Sequence, residues 1–277
     1  MKNKITKSVF VVLISLFLLP TVSEAQIKTY TTKKFKPPQV TVELLFNYSQ
    51  PIAHLYSDMQ RFFSFDGYGV KYGFGSEINV KVTANKKGTL KPYATIGYNL
   101  FMGKDNGNAY IDSNILQNGY PLGGSRYYEK IPGTSKILLH NFNFGLGFEY
   151  SFVNKTRWTP FLGADLDLNL IFGTFRQTPS TGPNTAEVSY TINQAVRFGF
   201  GLGGGIHLRV SRPIGFLFAA KYKFANVLGK ESKFLDDLNK MNLLDKKDTG
   251  LNTHLMKDRQ INYLQFSLGI AFYIGRR

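Results

Sequence analysis

No cysteine occurs in the 277 residues, which excludes a disulfide framework, a catalytic thiol, a thiolate metal site and a lipid anchor on an N-terminal cysteine. Long apolar runs are also missing. Beyond residue 20 no stretch approaches the about 20 apolar residues that a membrane-spanning helix needs. Acidic side chains are scarce, with 18 Asp and Glu against 34 Lys and Arg and a formal charge of +16. Such a surplus ordinarily points to nucleic acid, but no helical basic stripe is present. The start of the chain argues for export as well, away from any nucleic acid.

That start reads as a secretion signal. Lys2, Lys4 and Lys7 precede an apolar run over 9–19, broken only by Ser15, and Ser23, Glu24 and Ala25 form a small-residue cleavage pattern. The expected organisation is a signal peptide over 1–25, a basic leader over 26–38 that carries Lys28, Lys33, Lys34 and Lys36, and one domain over 39–277. Membrane residence must then come from strands, because closed barrels are the other structure that spans a bilayer.

The strand signal is strict alternation. Leu138, His140, Phe142, Phe144, Leu146, Phe148, Tyr150 and Phe152 fall on one face, and Asn141, Asn143, Gly145, Gly147, Glu149 and Ser151 on the other. Bulky aromatics would overfill the narrow interior of a small soluble barrel. Facing lipid they fit, with Gly, Asn and charges turned inward. Strands are predicted over 39–49, 70–83, 90–103, 136–152, 158–175, 190–210, 214–226 and 260–275. Their connections alternate between short (84–89, 153–157, 211–213) and long (50–69, 104–135, 176–189, 227–259). The predicted fold is all-β, an eight-stranded antiparallel up-and-down transmembrane barrel with short periplasmic turns and long extracellular loops. Pro92 and Pro160 fall near strand starts, where a missing ladder donor is tolerated.

With those strands in place, the chain resembles the small eight-stranded outer-membrane barrels of the OmpA-transmembrane and OmpX kind, in particular the Bacteroidota "outer membrane beta-barrel protein" group. The segments that carry the resemblance are the alternating 198–203 and the last strand, 264–273, which is similar to the C-terminal signal read by the barrel assembly machinery. The usual signal ends on an aromatic residue, whereas this chain continues through Ile274, Gly275, Arg276 and Arg277. The resemblance implies residence in the outer membrane of a Gram-negative bacterium, with outer-membrane lipid and the assembly machinery as partners. It specifies no job.

Inward positions carry Glu43, Glu77, Glu149, Asp165 and Asp167 against Lys71, Lys81, Lys91, Arg197, Arg209, Lys221 and Lys223. An unpaired buried charge costs several kcal/mol, so these groups are expected to pair across the lumen as a polar plug. Asp165 and Asp167 are expected to meet Lys221 and Lys223. The functional alternative is a gated ion path or a proton-active pair of carboxylates.

Other motifs carry little. Gly199, Gly201, Gly203 and Gly205 imitate a dinucleotide fingerprint but alternate inside a strand, where small residues leave room for long opposing side chains. His54, His140, His207 and His254 lie in different elements without zinc-ligand spacing. Gly123, Gly124, Ser125 and Arg126 lack the flanking glycine of a nucleophile elbow. His54, Asp58, Ser64 and Asp66 in the first long loop are the candidates for the outer-rim catalytic set of a barrel-type protease or lipase, but loops collect such residues by chance. No catalytic residue, cofactor site or metal site is expected.

Function should then reside on the surfaces. Lys86, Lys87, Lys155, Arg157, Arg212, Arg276 and Arg277 make the short-turn side basic, suited to anionic headgroups or to an acidic periplasmic partner. In the last long loop Phe234, Leu238 and Met241 recur at helical spacing within 233–244, which predicts a short amphipathic helix that caps the barrel or binds a partner. Tyr110, Tyr120, Tyr127 and Tyr128 give the second loop an adaptable contact surface. The expected function is a non-enzymatic outer-membrane barrel that acts through its loops or periplasmic face as a binding, adhesion or complex-subunit protein, with a periplasmic or cell-surface protein as partner. Two alternatives stand beside it: a narrow channel for ions or small solutes, and an accessory component of a secretion or assembly complex.

Overall fold

The computed structural model describes residues 37–59, 61, 67–112, 128–153, 156–181, 186–230, 240–241 and 259–275. The expected signal peptide and the leader up to residue 36 lie outside these residues.

Ten strands follow one another in the chain: β1 (Val40–Ile52), β2 (Tyr72–Val82), β3 (Leu90–Asp105), β4 (Asn108–Asp112), β5 (Tyr128–Ser151), β6 (Trp158–Pro179), β7 (Val188–Arg209), β8 (Ile214–Leu228), β9 (Lys240–Met241) and β10 (Asn262–Ile274). Eight of them pair in the order β3-β2-β1-β10-β8-β7-β6-β5, and a β3–β5 pairing closes the ring. Every pairing in the ring is antiparallel. Closure satisfies the edge groups that an open sheet would expose to hydrocarbon.

The pleat sorts the side chains. Phe46, Leu146 and Leu166 point outward with 74%, 72% and 72% of their surface free, whereas Glu43 and Glu149 point inward at 0% and 1%. No folded soluble domain leaves such a continuous apolar belt in water while burying its carboxylates. The chain is a membrane β-barrel whose lipid is met by Phe, Leu, Val and Ile. Gly88, in the short turn between β2 and β3, has φ +75°, a backbone region that glycine enters without strain.

Two expectations about the loops are corrected. The segment 104–135 is not wholly a loop: β5 begins at Tyr128, and its outer part pairs with β4 as a hairpin that stands beyond the barrel. Tyr110 and Tyr128 therefore lie in strands, while Tyr120 and Tyr127 lie outside the described residues. The helix predicted over 233–244 does not hold at its far end. Lys240 and Met241 run parallel to Thr191 and Ile192 of β7. There β7 stays paired with β6 but projects past β8, and the edge left open on that side recruits an extended segment in preference to helical spacing. Phe234 and Leu238 are outside the described residues.

Candidate functional site

The barrel interior is the place where this chain concentrates buried polar chemistry, and it is built in layers. Toward the short turns, Glu43, Lys81, Lys91, Glu149 and His207 each sit within a few residues of the end of their strand. The Lys81 ammonium is held between Glu43, at 2.7 Å, and Glu149. Lys91 contacts the other oxygen of Glu149 at 2.9 Å and donates to the Ser151 hydroxyl at 2.8 Å. Asn79 donates to Glu43 at 3.1 Å. The His207 Nε2 stands 3.4 Å from Glu149 and 3.7 Å from Glu43.

Spacing along the chain gives no hint that His207 joins two glutamates, since the three residues come from β7, β1 and β5 and only barrel closure brings them together. Their ligand atoms lie within 4.8 Å of one another, a grouping able to hold a divalent cation. Lys81 already supplies the positive charge there, because its ammonium contacts both carboxylates.

A second layer occupies the middle of the strands. Lys221 bridges Glu77 and Asp165, each at 3.2 Å. Lys223 contacts Asp165 and, at 2.7 Å, Asp167. Gln265 donates to Glu77 at 3.0 Å, and the Tyr93 hydroxyl donates to Asp165 at 2.8 Å. The Tyr93 ring separates the layers, with the Lys81 ammonium 5.5 Å from its centroid and that of Lys221 5.4 Å away. The strand pattern alone places Asp165, Asp167, Lys221 and Lys223 on one face. It does not reveal Tyr93 and Gln265, whose polar tips complete the layer.

The inward glycines of β7 make this crowding possible. A Cβ on Gly201 would lie 2.2 Å from an Asp165 carboxylate oxygen and 2.8 Å from the Lys223 stem, and one on Gly203 would lie 2.6 Å from Lys221.

One residue expected in the lumen network behaves differently. Lys71 is corrected: it is at the long-loop end, only half-buried, with its ammonium 4.8 Å from the centre of the Tyr56 ring, and it forms no ion pair with a lumen carboxylate among the described residues. The loop that follows β1 carries Tyr56 to that position. Arg197 is buried and donates to the Val196 carbonyl at 2.9 Å.

The long-loop third of the interior corrects the expectation of a polar plug throughout. Phe101, Ile137, Leu139, Ile171, Phe175 and Ile192 point inward from the strands and pack with Leu55, Met59, Tyr68 and Val70 of the connection between β1 and β2. That connection folds over the barrel mouth and needs an apolar core beneath it, as any loop that must exclude water does. Arg259 is buried beside it, donating to the Gly67 carbonyl at 2.7 Å with its guanidinium 4.2 Å from the Tyr68 ring centre. Asn226 fastens the opposite side, accepting from the Ile261 amide at 2.7 Å and donating to the Arg259 carbonyl at 2.9 Å. His54 accepts from the Gln260 amide at 3.0 Å, and Asp58 from the Arg61 amide at 2.9 Å. Both are committed to holding the loop. Ser64 and Asp66 lie outside the described residues.

Between the charged layers a cavity of about 10 Å³ is lined by Glu43, Lys81, Tyr93, Phe161, Leu217 and Lys221. It has room for one water. Among the described residues the interior is filled by ion pairs toward the short turns and by aliphatic and aromatic side chains toward the long loops.

No family model and no curated protein matches the chain. Among solved structures it is similar to Neisserial surface protein A, at 12% identity and a TM-score of 0.42 over 85% of this chain and 97% of that one. It is also similar to a major outer membrane protein of Thermus thermophilus, at 11% identity and 0.41 over 84% and 98%. The N-terminal β-barrel domain of Pseudomonas aeruginosa OprF is similar at 10% identity and 0.35 over 85% and 98%. The architecture itself rests on the closed ring of pairings in this chain.

Proposed function

We propose that this protein is a small, non-enzymatic outer-membrane barrel of the OmpA-transmembrane and OmpX kind, with its long loops outside the cell, that works through its surfaces and not through its lumen. The observation that carries the reading is the filled interior. Four lysines are locked onto five carboxylates, and an apolar core covers them on the loop side. Moving an ion through would require breaking buried pairs, each costing several kcal/mol, and opening the cap. What remains available for recognition is the β4–β5 hairpin and its neighbouring loops at one end, and the basic turns with Lys86, Lys87, Arg157 and Arg212 at the other. A binding, adhesion or complex-subunit role fits such a rigid pedestal.

The reading is tested by placing photo-cross-linking residues at Asn108 on the hairpin and at Lys86 and Arg212 on the turns, in living cells. Adducts of defined mass from one end support a surface-acting barrel. A protein that gives none from either end, and that lets small solutes into liposomes, would overturn it in favour of a channel.

A further inference from the structure

One feature of the outer wall is unlike the rest of it. Lys104 of β3 is the direct register partner of Lys136 of β5, which is in turn the direct partner of Arg176 of β6. The inward neighbours of these residues are buried, among them Phe101, Ser135, Ile137, Phe175 and Gln177, so all three cations project from the outer wall and are exposed. Like charges directly opposite on adjacent strands repel one another. Compensation within the chain is slight. Glu187 approaches only Arg176, at 3.6 Å with both side chains about half exposed, a geometry worth little. Asp105, next to Lys104 on β3, accepts from the Gly107 amide and the Asn108 side chain at 3.0 and 3.1 Å. Lys104 and Lys136 have no ion-pair partner among the described residues.

Beneath this row, on the same three strands, lies an aromatic face. His140 stacks on Phe172 at 4.9 Å with an interplanar angle of 9°, and its Nδ1 is 2.7 Å from the Tyr98 hydroxyl. Phe142 packs on Tyr98 at 4.7 Å. Aromatic rings of this kind settle at the boundary between hydrocarbon and headgroups, so the three cations stand at headgroup level. Further down the same strands, and onto β7 and β8, the lipid-facing wall recedes into a groove of about 730 Å³ whose lining includes Ile96, Phe144, Leu146, Leu166 and Leu168.

We propose that Lys104, Lys136 and Arg176 form a binding site for the phosphate of an anionic lipid in the outer leaflet, with the acyl chain of that lipid lying in the groove below. The assignment to the outer leaflet rests on the proposed orientation, with the long loops outside the cell. A phosphate supplies charge and acceptor oxygens that would offset the repulsion along the row, and Arg176 offers it a bidentate fork. The site selects lipid over free anion because the cations, the aromatic boundary and the groove lie along one line on the barrel wall.

The test is native mass spectrometry of the folded barrel released from zwitterionic micelles that contain phosphatidic acid and phosphatidylcholine. Wild type is expected to retain phosphatidic acid preferentially. The triple variant Lys104→Gln, Lys136→Gln, Arg176→Gln should lose that preference on the order of a hundredfold, at about fivefold per cation. A control triple on the turns, Lys86→Gln, Lys87→Gln, Arg212→Gln, should keep it. Equal loss in both triples, no preference in wild type, or displacement by inorganic phosphate would each overturn the site. Orientation is read separately by labelling an Asn108→Cys variant with an impermeant maleimide on intact cells, in a chain that has no other cysteine. Unlabelled cells with lipid retention intact would overturn the outer-leaflet assignment alone, whereas labelled cells without retention would overturn the lipid site alone.

Discussion

The two halves of the barrel interior solve the same problem with opposite chemistry. Toward the short turns the lumen is filled by Glu43, Lys81, Lys91, Glu149 and His207, and above them by Glu77, Asp165, Asp167, Lys221 and Lys223. Toward the long loops it is filled by Phe101, Ile137, Leu139, Ile171 and Phe175 packed under Leu55 and Tyr68. The charged half is supplied almost entirely by strands, whose fixed pleat holds long side chains in register so that each ammonium meets its carboxylates. The apolar half includes a loop, and a loop over a barrel mouth is held by water exclusion and a few backbone contacts. The polar half gives specificity of pairing, and the apolar half closes over it among the described residues.

That contrast predicts graded responses. The largest effect should come from Lys223→Met, which strands Asp167 in a buried site and leaves Asp165 to Lys221 and Tyr93 alone. A loss of about 3–5 kcal/mol is expected in urea unfolding from micelles, partly recovered when Asp167→Asn is added. In the apolar half Leu139→Ala should cost about 2–5 kcal/mol through the cavity it leaves, and hydrogen exchange should rise first in 53–59 and 67–71. An unchanged exchange rate there would show that the loop is not held by the core. On the outer wall Leu146→Lys, near the middle of the lipid-facing stretch of β5, should cost about 2–4 kcal/mol in bilayers. The same change should be harmless if that wall faced water. The smallest effect should come from Gly201→Ala, whose added methyl collides with Asp165 and Lys223. An overpacking cost of about 1–3 kcal/mol is expected in the same unfolding measurement. A neutral result would mean the charged layer is looser than its contacts imply.

The charged half was legible from the chain because a period of two is rigid information. Once Phe142, Phe144 and Leu146 are turned to lipid, Asn143, Gly145 and Glu149 have no choice but to face inward. The same rule puts Asp165 and Asp167 inside with Lys221 and Lys223. Partners across the ring were less visible, because Glu43, Glu149 and His207 meet only through closure, and no linear spacing encodes a contact between β1, β5 and β7. The apolar cap was hidden for a different reason. Ile137, Leu139 and Phe175 occupy inward positions that the outward aromatics overshadow in any count of hydrophobicity, and their partners Leu55, Met59 and Tyr68 sit in a loop without periodicity. Met241 shows how tertiary context overrides local pattern: helical spacing pointed one way, and the edge of β7 that β8 leaves open drew the segment into a strand.

The central claim is that the interior is packed shut. Single-channel recording of the purified protein in a planar bilayer, after boiling has been shown to shift its gel mobility as a folded barrel should, tests it most directly. A folded and electrically silent barrel is the expected result. Reproducible conductance steps whose size or ion selectivity changes with Lys221→Met would contradict it and would make the charged layers the lining of a path.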